Sequence, residues 1–303
     1  MNNRNVYSTI ALISGLLLGC SENSSFTDSS YPINSFDDIP DLLEYYNVPG
    51  VSIALVKDFE IDQLLTYGVK NQNTLAPVTP DTLFQAASMS KSVAAVAAMK
   101  MAENGMIGLD DDINNFLLSW KVAENEYTTE EKVTLRRLLS HRAGTTVHGF
   151  AGYSQIDEFP SLVDVLNGQS PANSPAVIVG NTPGSDFSYS GGGFVIAQQA
   201  LIDIAQQPFE HIVDDTVFQP LAMTNSTFNQ FLSEDQIARA SAGHDTNGQN
   251  HFGDYNLYPE MSAAGLWSTP QDLAKFLIEL QLALLNQSNR VLTGNTVEEM
   301  IAP

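Results

Sequence analysis

Ser88 and Lys91 stand three residues apart in the stretch Thr82–Met101, TLFQAASMSKSVAAVAAMKM. In a helix that spacing puts both side chains on one face. A serine hydroxyl is a weak nucleophile until a base takes its proton. A lysine amine serves as that base only where burial or a neighbouring cation keeps it neutral. Residues Val93–Ala98 are almost entirely apolar, which predicts a helix buried on all sides. Gly105 falls where a C-terminal cap belongs. Ser88 is then expected at the positive end of that helix, where free backbone N–H groups can face a developing oxyanion. The tetrapeptide alone is equally compatible with a capping serine and a solvated lysine. Its context decides between them.

The elements that must position this pair follow from periodicity and turn signals. Residues 36–46 carry Ile39, Leu42, Leu43 and Tyr46 at helical spacing, and Val48-Pro49-Gly50 ends the pattern. Val51–Val56 and Gln63–Val69 read as strands around a Lys57-Asp58 turn, forming a hairpin that leads into the Ser88 helix. Further helices are expected over Val133–Ser140, Leu162–Leu166, Phe194–Ala205 and Pro270–Leu285, with a last one after Gly294. The middle of the chain therefore reads as mostly helical. Two strands make a marginal sheet in water. Either a strand is hidden near Ala176–Val179, or the chain stops before its sheet is finished.

Composition sets outer bounds. The chain has 303 residues, 43% of them hydrophobic, and a net charge of −22. That length suits one large domain or two intimate subdomains with a sizeable core. So acidic a surface repels phosphate backbones, which excludes nucleic acid as an expected partner. The lone cysteine, Cys20, allows no internal disulfide. It follows Arg4, an apolar run over Ile10–Leu18 too short to span a bilayer, and Leu17-Leu18-Gly19. Residues 21–31 are polar and serine-rich, as in a flexible tether. No second segment is apolar and long enough to cross a membrane. Asp110, Asp112 and Asn114 superficially match a calcium loop, but Asn115 stands at its glycine position and Lys121 at its final glutamate position, so that reading fails. His211, His244 and His251 lack zinc-site spacing, and neither a metal nor a cofactor is expected. His141, at a helix end, reads as a cap, and the absence of G-x-S-x-G argues against an α/β-hydrolase host.

With Ser88, Lys91 and Tyr189 in hand, the chain resembles the serine β-lactamase-related hydrolases. That superfamily includes class C β-lactamases, D-alanyl-D-alanine carboxypeptidases, D-aminopeptidases and some esterases. The resemblance runs from about Ile33 to Pro303 through the blocks VPGVSIALV, TLFQAASMSKS, VTLRRLLSHRAG, PGSDFSYSGGG, QPLAMTNSTF and SAAGLWSTPQDLAKF. It implies an α/β (α+β) fold of the β-lactamase and penicillin-binding-protein transpeptidase type, an antiparallel sheet flanked by helices with a mostly helical subdomain. Residues 33–87 would open the α/β subdomain, 88–260 form the helical one, and 261–303 return toward the first. The resemblance further implies Ser88 as acylated nucleophile, Lys91 as the amine that helps deprotonate it, and Tyr189 as the phenol that relays protons, the three titrating as a coupled set.

Two departures bear on substrate. Gly191 stands where the family's Tyr-x-Asn motif has an asparagine that hydrogen-bonds the substrate amide, so ester, amide and D-amino-acid peptide hydrolysis stand beside β-lactam hydrolysis. The Lys-Thr-Gly or His-x-Gly motif of a later strand is absent, and the chain is expected to be a fragment with an incomplete sheet. His148 and Phe150, in the loop TTVHGFAGY, are candidates with Gly191 for the substrate-binding wall. Residues 17–20 resemble the lipobox of bacterial lipoproteins. Residues 1–19 would then be a signal peptide, 20–32 a tether, and Cys20 a lipidated anchor in the cell envelope, on the periplasmic face of the outer membrane. The expected function is acyl-enzyme hydrolysis of a small-molecule or peptidoglycan-type amide or ester. The alternative is a non-catalytic envelope lipoprotein that keeps the fold and binds peptidoglycan or a partner.

Overall fold

A short helix, α1 (Ile39–Tyr45), precedes the hairpin of β1 (Gly50–Lys57) and β2 (Glu60–Asn71) in the computed structural model, which describes residues 36–302. Ile53 pairs with Leu65 and Ala54 with Leu64, and the register shifts between Leu55 and Val56. Asp58 and Phe59 both take positive φ (52° and 63°), the backbone a two-residue hairpin turn needs to match strand twist. Gly68 is required where it stands. Its φ is +71°, and a Cβ there would lie 2.1 Å from the Pro49 carbonyl oxygen.

The strands run slightly beyond their expected spans at both ends. Three more have only two residues each, too few to show a period. β3 (Ala76–Pro77) extends the hairpin beside β2, while β4 (Phe84–Gln85) pairs antiparallel with β5 (Trp267–Ser268) from far along the chain. The suspected strand at 176–179 is not among the described strands. It contributes a single bridge, Thr145 to Val179, and a bond from Thr146 N–H to the Ile178 carbonyl at 2.9 Å.

The helices, in chain order, are α2 (Ser90–Glu103), α3 (Leu135–Leu139), α4 (Leu162–Asn167), α5 (Gly191–Ala205), α6 (Phe209–Val213), α7 (Glu234–Arg239), α8 (Met261–Ala264), α9 (Pro270–Leu284) and α10 (Gly294–Ile301). α2 is helical because its fourteen residues contain neither glycine nor proline and are rich in alanine, methionine and lysine. Val93, Val96, Ala97 and Ala98 are essentially inaccessible, which makes α2 the central helix of the core. α5 and α6 pack against it, and α8 touches both α2 and α5. α3 and α4 cover α5 from outside. α9, capped by Thr269 with Pro270 in its first turn, lies on β1 and β2. α10 packs on α9 and α2.

Between Asn104 and Pro259 long irregular stretches separate the fifteen-residue α5 from several short helices, so the middle of the chain is less helical than its apolar pattern suggests. These stretches are held by side-chain bonds. Asp203, for example, accepts the backbone N–H groups of Leu118 and Ser119 at 2.7 and 3.0 Å and the Ser119 hydroxyl at 2.7 Å. Residues from Ile39 onward form one unit. The expected signal peptide and tether, and Cys20 with them, lie outside the described residues. Among those described, no helix is long and apolar enough to cross a membrane.

Candidate active site

Ser88 sits in a 3-10 turn, Ala87–Met89, that runs directly into α2. The turn is tight, with Ala87 at φ +46°, a conformation costly for a residue with a Cβ. Three bonds to one distant segment hold it. Ala86 N–H donates to the Leu266 carbonyl at 2.8 Å, Leu266 N–H donates to Ser90 Oγ at 3.0 Å, and Lys91 Nζ donates to the Ala263 carbonyl at 2.7 Å. The segment around α8 and β5 thus fixes the entry of α2. Ser88 itself is exposed, while Lys91, one helical turn on, is only 7% exposed.

Tyr189 arrives from the other side, one residue before the cap of α5. Ser190 Oγ accepts the Gly193 N–H at 2.9 Å and donates to the Thr146 carbonyl at 2.8 Å. Because the cap forms here, α5 starts at Gly191, three residues earlier than expected. Loop 145–150 then lies directly on the glycine run. Gly191 N–H donates to the His148 carbonyl at 3.2 Å and Gly192 N–H to the Val147 carbonyl at 2.9 Å. A Cβ on Gly192 would lie 2.6 Å from the Thr146 carbonyl oxygen, so a side chain here would push the loop away.

The two halves meet at Ser88 Oγ. The Tyr189 hydroxyl donates to it at 2.9 Å and Lys91 Nζ at 3.2 Å. Lys91 Nζ also lies 5.0 Å from the centre of the Tyr189 ring and 5.8 Å from that of Phe194. Burial lowers the Lys91 pKa from its ordinary value, partly opposed by its hydrogen bond and charge interaction with Tyr189. A hydroxyl, a desolvated amine and a phenol within proton-passing distance can move a proton off the serine and onto another group.

The three wall candidates sit in the Tyr189 neighbourhood, in different roles. The His148 ring bonds through Nδ1 to the backbone carbonyl of Tyr189. Gly191 is buried, and a Cβ built on it would meet Phe150 Cε2 at 3.0 Å. Phe150 therefore covers Gly191, and the glycine acts by letting the loop approach. His141 corrects the sequence reading. Its ring does not cap α3; the Ser140 hydroxyl donates to the Arg136 carbonyl instead, and His141, at φ +57°, turns its imidazole onto Tyr189, 4.3 Å between ring centres. Burial, then the nearby Lys91 charge, lower its pKa to about 4. No periodicity marks such a residue. Its position one step past a helix end was the sole signal. The Ala263 carbonyl escaped sequence reading too, because a backbone acceptor has no residue type.

Glu260, which leads into α8, is fully buried with no partner among the other described residues for either carboxyl oxygen, and burial, only partly opposed by its own backbone N–H, raises its pKa to about 7.

Among curated proteins, the protein Flp of Staphylococcus aureus is 24% identical over 84% of this chain and 51% of its own length. The chain thus spans about half the length of the curated relatives it matches. Among solved structures, the octameric penicillin-binding protein homologue of Pyrococcus abyssi aligns over 86% of this chain and 58% of its own, at 23% identity and a TM-score of 0.67. The D-amino acid amidase of Ochrobactrum anthropi aligns over 86% of this chain and 70% of its own, at 23% identity and a TM-score of 0.70. Both share the fold, that of β-lactamases and penicillin-binding proteins. The family model described as Beta-lactamase matches residues 37–303. Nearly all the described residues lie within that match, and the chain belongs to the beta-lactamase family.

Proposed function

We propose that this chain carries the nucleophilic site of a serine hydrolase that works through an acyl-enzyme on an amide or ester. The observation that supports this is the convergence on Ser88 Oγ of Lys91 Nζ and the Tyr189 hydroxyl, the latter from 101 positions away. In this reading Lys91, made less basic by burial, takes the Ser88 proton as the oxygen attacks the substrate carbonyl. The Ser88 N–H, at the head of α2, faces the oxyanion. Tyr189 passes a proton to the leaving group, then draws one from the water that releases the acyl group, and Lys91 returns its proton to the departing Ser88 oxygen. The Ala263 carbonyl holds the amine in place throughout. D-amino-acid peptides, β-lactams and small esters are the candidate substrates.

A fluorophosphonate probe tests the reading. Wild type is expected to be labelled, and Ser88→Ala to lose labelling by at least about a thousandfold while its circular dichroism stays native. A fluorescent penicillin and a short-chain aryl ester, run beside it, separate the substrate classes. A folded wild type that none of these reagents acylates would instead indicate the binding lipoprotein. We further propose that Cys20 is lipidated in an envelope membrane, after removal of residues 1–19. In cells fed radiolabelled palmitate, the wild-type chain should incorporate label and Cys20→Ala should not. Equal incorporation would refute the anchor.

A further inference from the structure

His141 touches every residue of the short stretch that carries Tyr189. Its carbonyl accepts the Ser188 N–H at 2.8 Å, and its ring Nδ1 accepts the Ser190 N–H at 3.1 Å. Between these two bonds the imidazole packs against the Tyr189 ring at 4.3 Å, tilted by 34°. Phe194 of α5 lies 5.3 Å from the same ring and Phe187 meets it edge-on at 5.8 Å. A nitrogen that accepts an N–H carries no proton of its own. The observed contact therefore requires the neutral imidazole with its hydrogen on Nε2. Protonating Nδ1 would turn the Ser190 bond into a clash of two donors. It would also place a second cation beside Lys91, the charged group from α2 that acts on this ring; the other titratable group facing it is Tyr189.

We propose that His141 is a positioning residue of this site: as a neutral ring it clamps Tyr189 in register with Ser88, and its protonation opens the clamp and adds a second acid limb to acylation, beside the one that protonation of Lys91 sets. The inference rests on the serine-hydrolase reading given above. Burial and the Lys91 charge depress the His141 pKa to about 4, which keeps the clamp closed down to mildly acidic conditions.

Two variants of the full chain separate the clamp from ordinary packing. His141→Asn keeps an acceptor near the Nδ1 position but cannot titrate in this range. His141→Phe keeps a flat ring but offers no acceptor. The readout is the rate of fluorophosphonate labelling as a function of pH, with the folded state checked by circular dichroism. In wild type the fall of labelling with pH that protonation of Lys91 sets should be joined by a second, steeper acid limb with a midpoint near the His141 pKa of about 4. In His141→Asn that acid limb should disappear or shift. In His141→Phe labelling near neutrality should fall about tenfold or more, as expected for a misplaced proton-transfer group. The imidazole of wild type, followed by NMR, should titrate together with the acid limb, a measurement that needs neither variant to fold. Ser88-dependent labelling whose acid limb is unmoved in both folded variants would overturn the clamp alone. So would an imidazole that titrates near the ordinary histidine value with no change in labelling rate. Labelling that persists in Ser88→Ala would overturn the hydrolase reading, and the clamp with it.

Discussion

Two buried ionisable side chains with opposite fortunes lie near α8. Lys91 has a carbonyl and a hydroxyl to bond, so its burial tunes it without stranding it. Glu260 has no partner among the other described residues for either oxygen and sits out of water. Its carboxyl is raised from an ordinary 4.5 to about 7 in the folded chain. The unfolded chain therefore ionises first, and ionisation favours unfolding. The contribution of Glu260 to stability is best below pH 4.5 and falls steadily as pH rises toward 7, by on the order of 3 kcal/mol in total. Glu260→Gln removes that slope. Urea melts of wild type and variant at pH 5 and pH 7.5 should show wild type losing more stability across the interval than Glu260→Gln. Equal losses would mean that Glu260 finds a partner in solution. At this scale the sequence showed Ser88, Lys91 and Tyr189, because their types and flanking blocks are distinctive. It could not show that His141 faces Tyr189 or that Glu260 is stranded. Both depend on chain brought in from elsewhere.

Among elements, the join between loop 145–150 and the start of α5 bears most directly on the site. Three consecutive glycines let backbone lie on backbone, and the Tyr189 carbonyl, the Ser190 hydroxyl and two glycine N–H groups all bond to that loop. Gly192 is the tightest point. Its Cβ would come within 2.6 Å of the Thr146 carbonyl and 2.8 Å of Val177 Cγ1. Gly192→Ala is expected to destabilise by about 1–3 kcal/mol, since neither backbone nor buried valine yields easily. It should also slow labelling of Ser88 more than the loss of folded protein explains, because Tyr189 moves with the loop. A thermal melt and a labelling rate measured on one preparation check both. The helices were legible where apolar residues recur over two turns or more, as in α2 and α9. The glycine run reads in sequence as the approach to a helix that begins at Phe194. It becomes a helix start only because Ser190 caps it and the loop needs the space. β4 and β5 were illegible for a simpler reason: two residues carry no alternation.

Across the whole molecule, the fold class followed from the order of several blocks rather than from any element, and the family match over residues 37–303 agrees with it. The groups proposed to react come from Ser88, Lys91 and Tyr189, and the carbonyl that holds the Lys91 amine comes from Ala263, so no local fragment contains them. This gives a covalent probe a second use. A molecule that has lost either long-range contact, Tyr189 to Ser88 or Lys91 to Ala263, should go dark to the reagent, although its chemistry is otherwise intact. In a brief pulse across a denaturant series, the tagged fraction should follow the loss of far-ultraviolet ellipticity with a common midpoint. A tagged fraction that vanishes well before ellipticity would reveal that the cleft melts ahead of the body, making fluorescence on a gel a census of native molecules and a detector of the first region to fail.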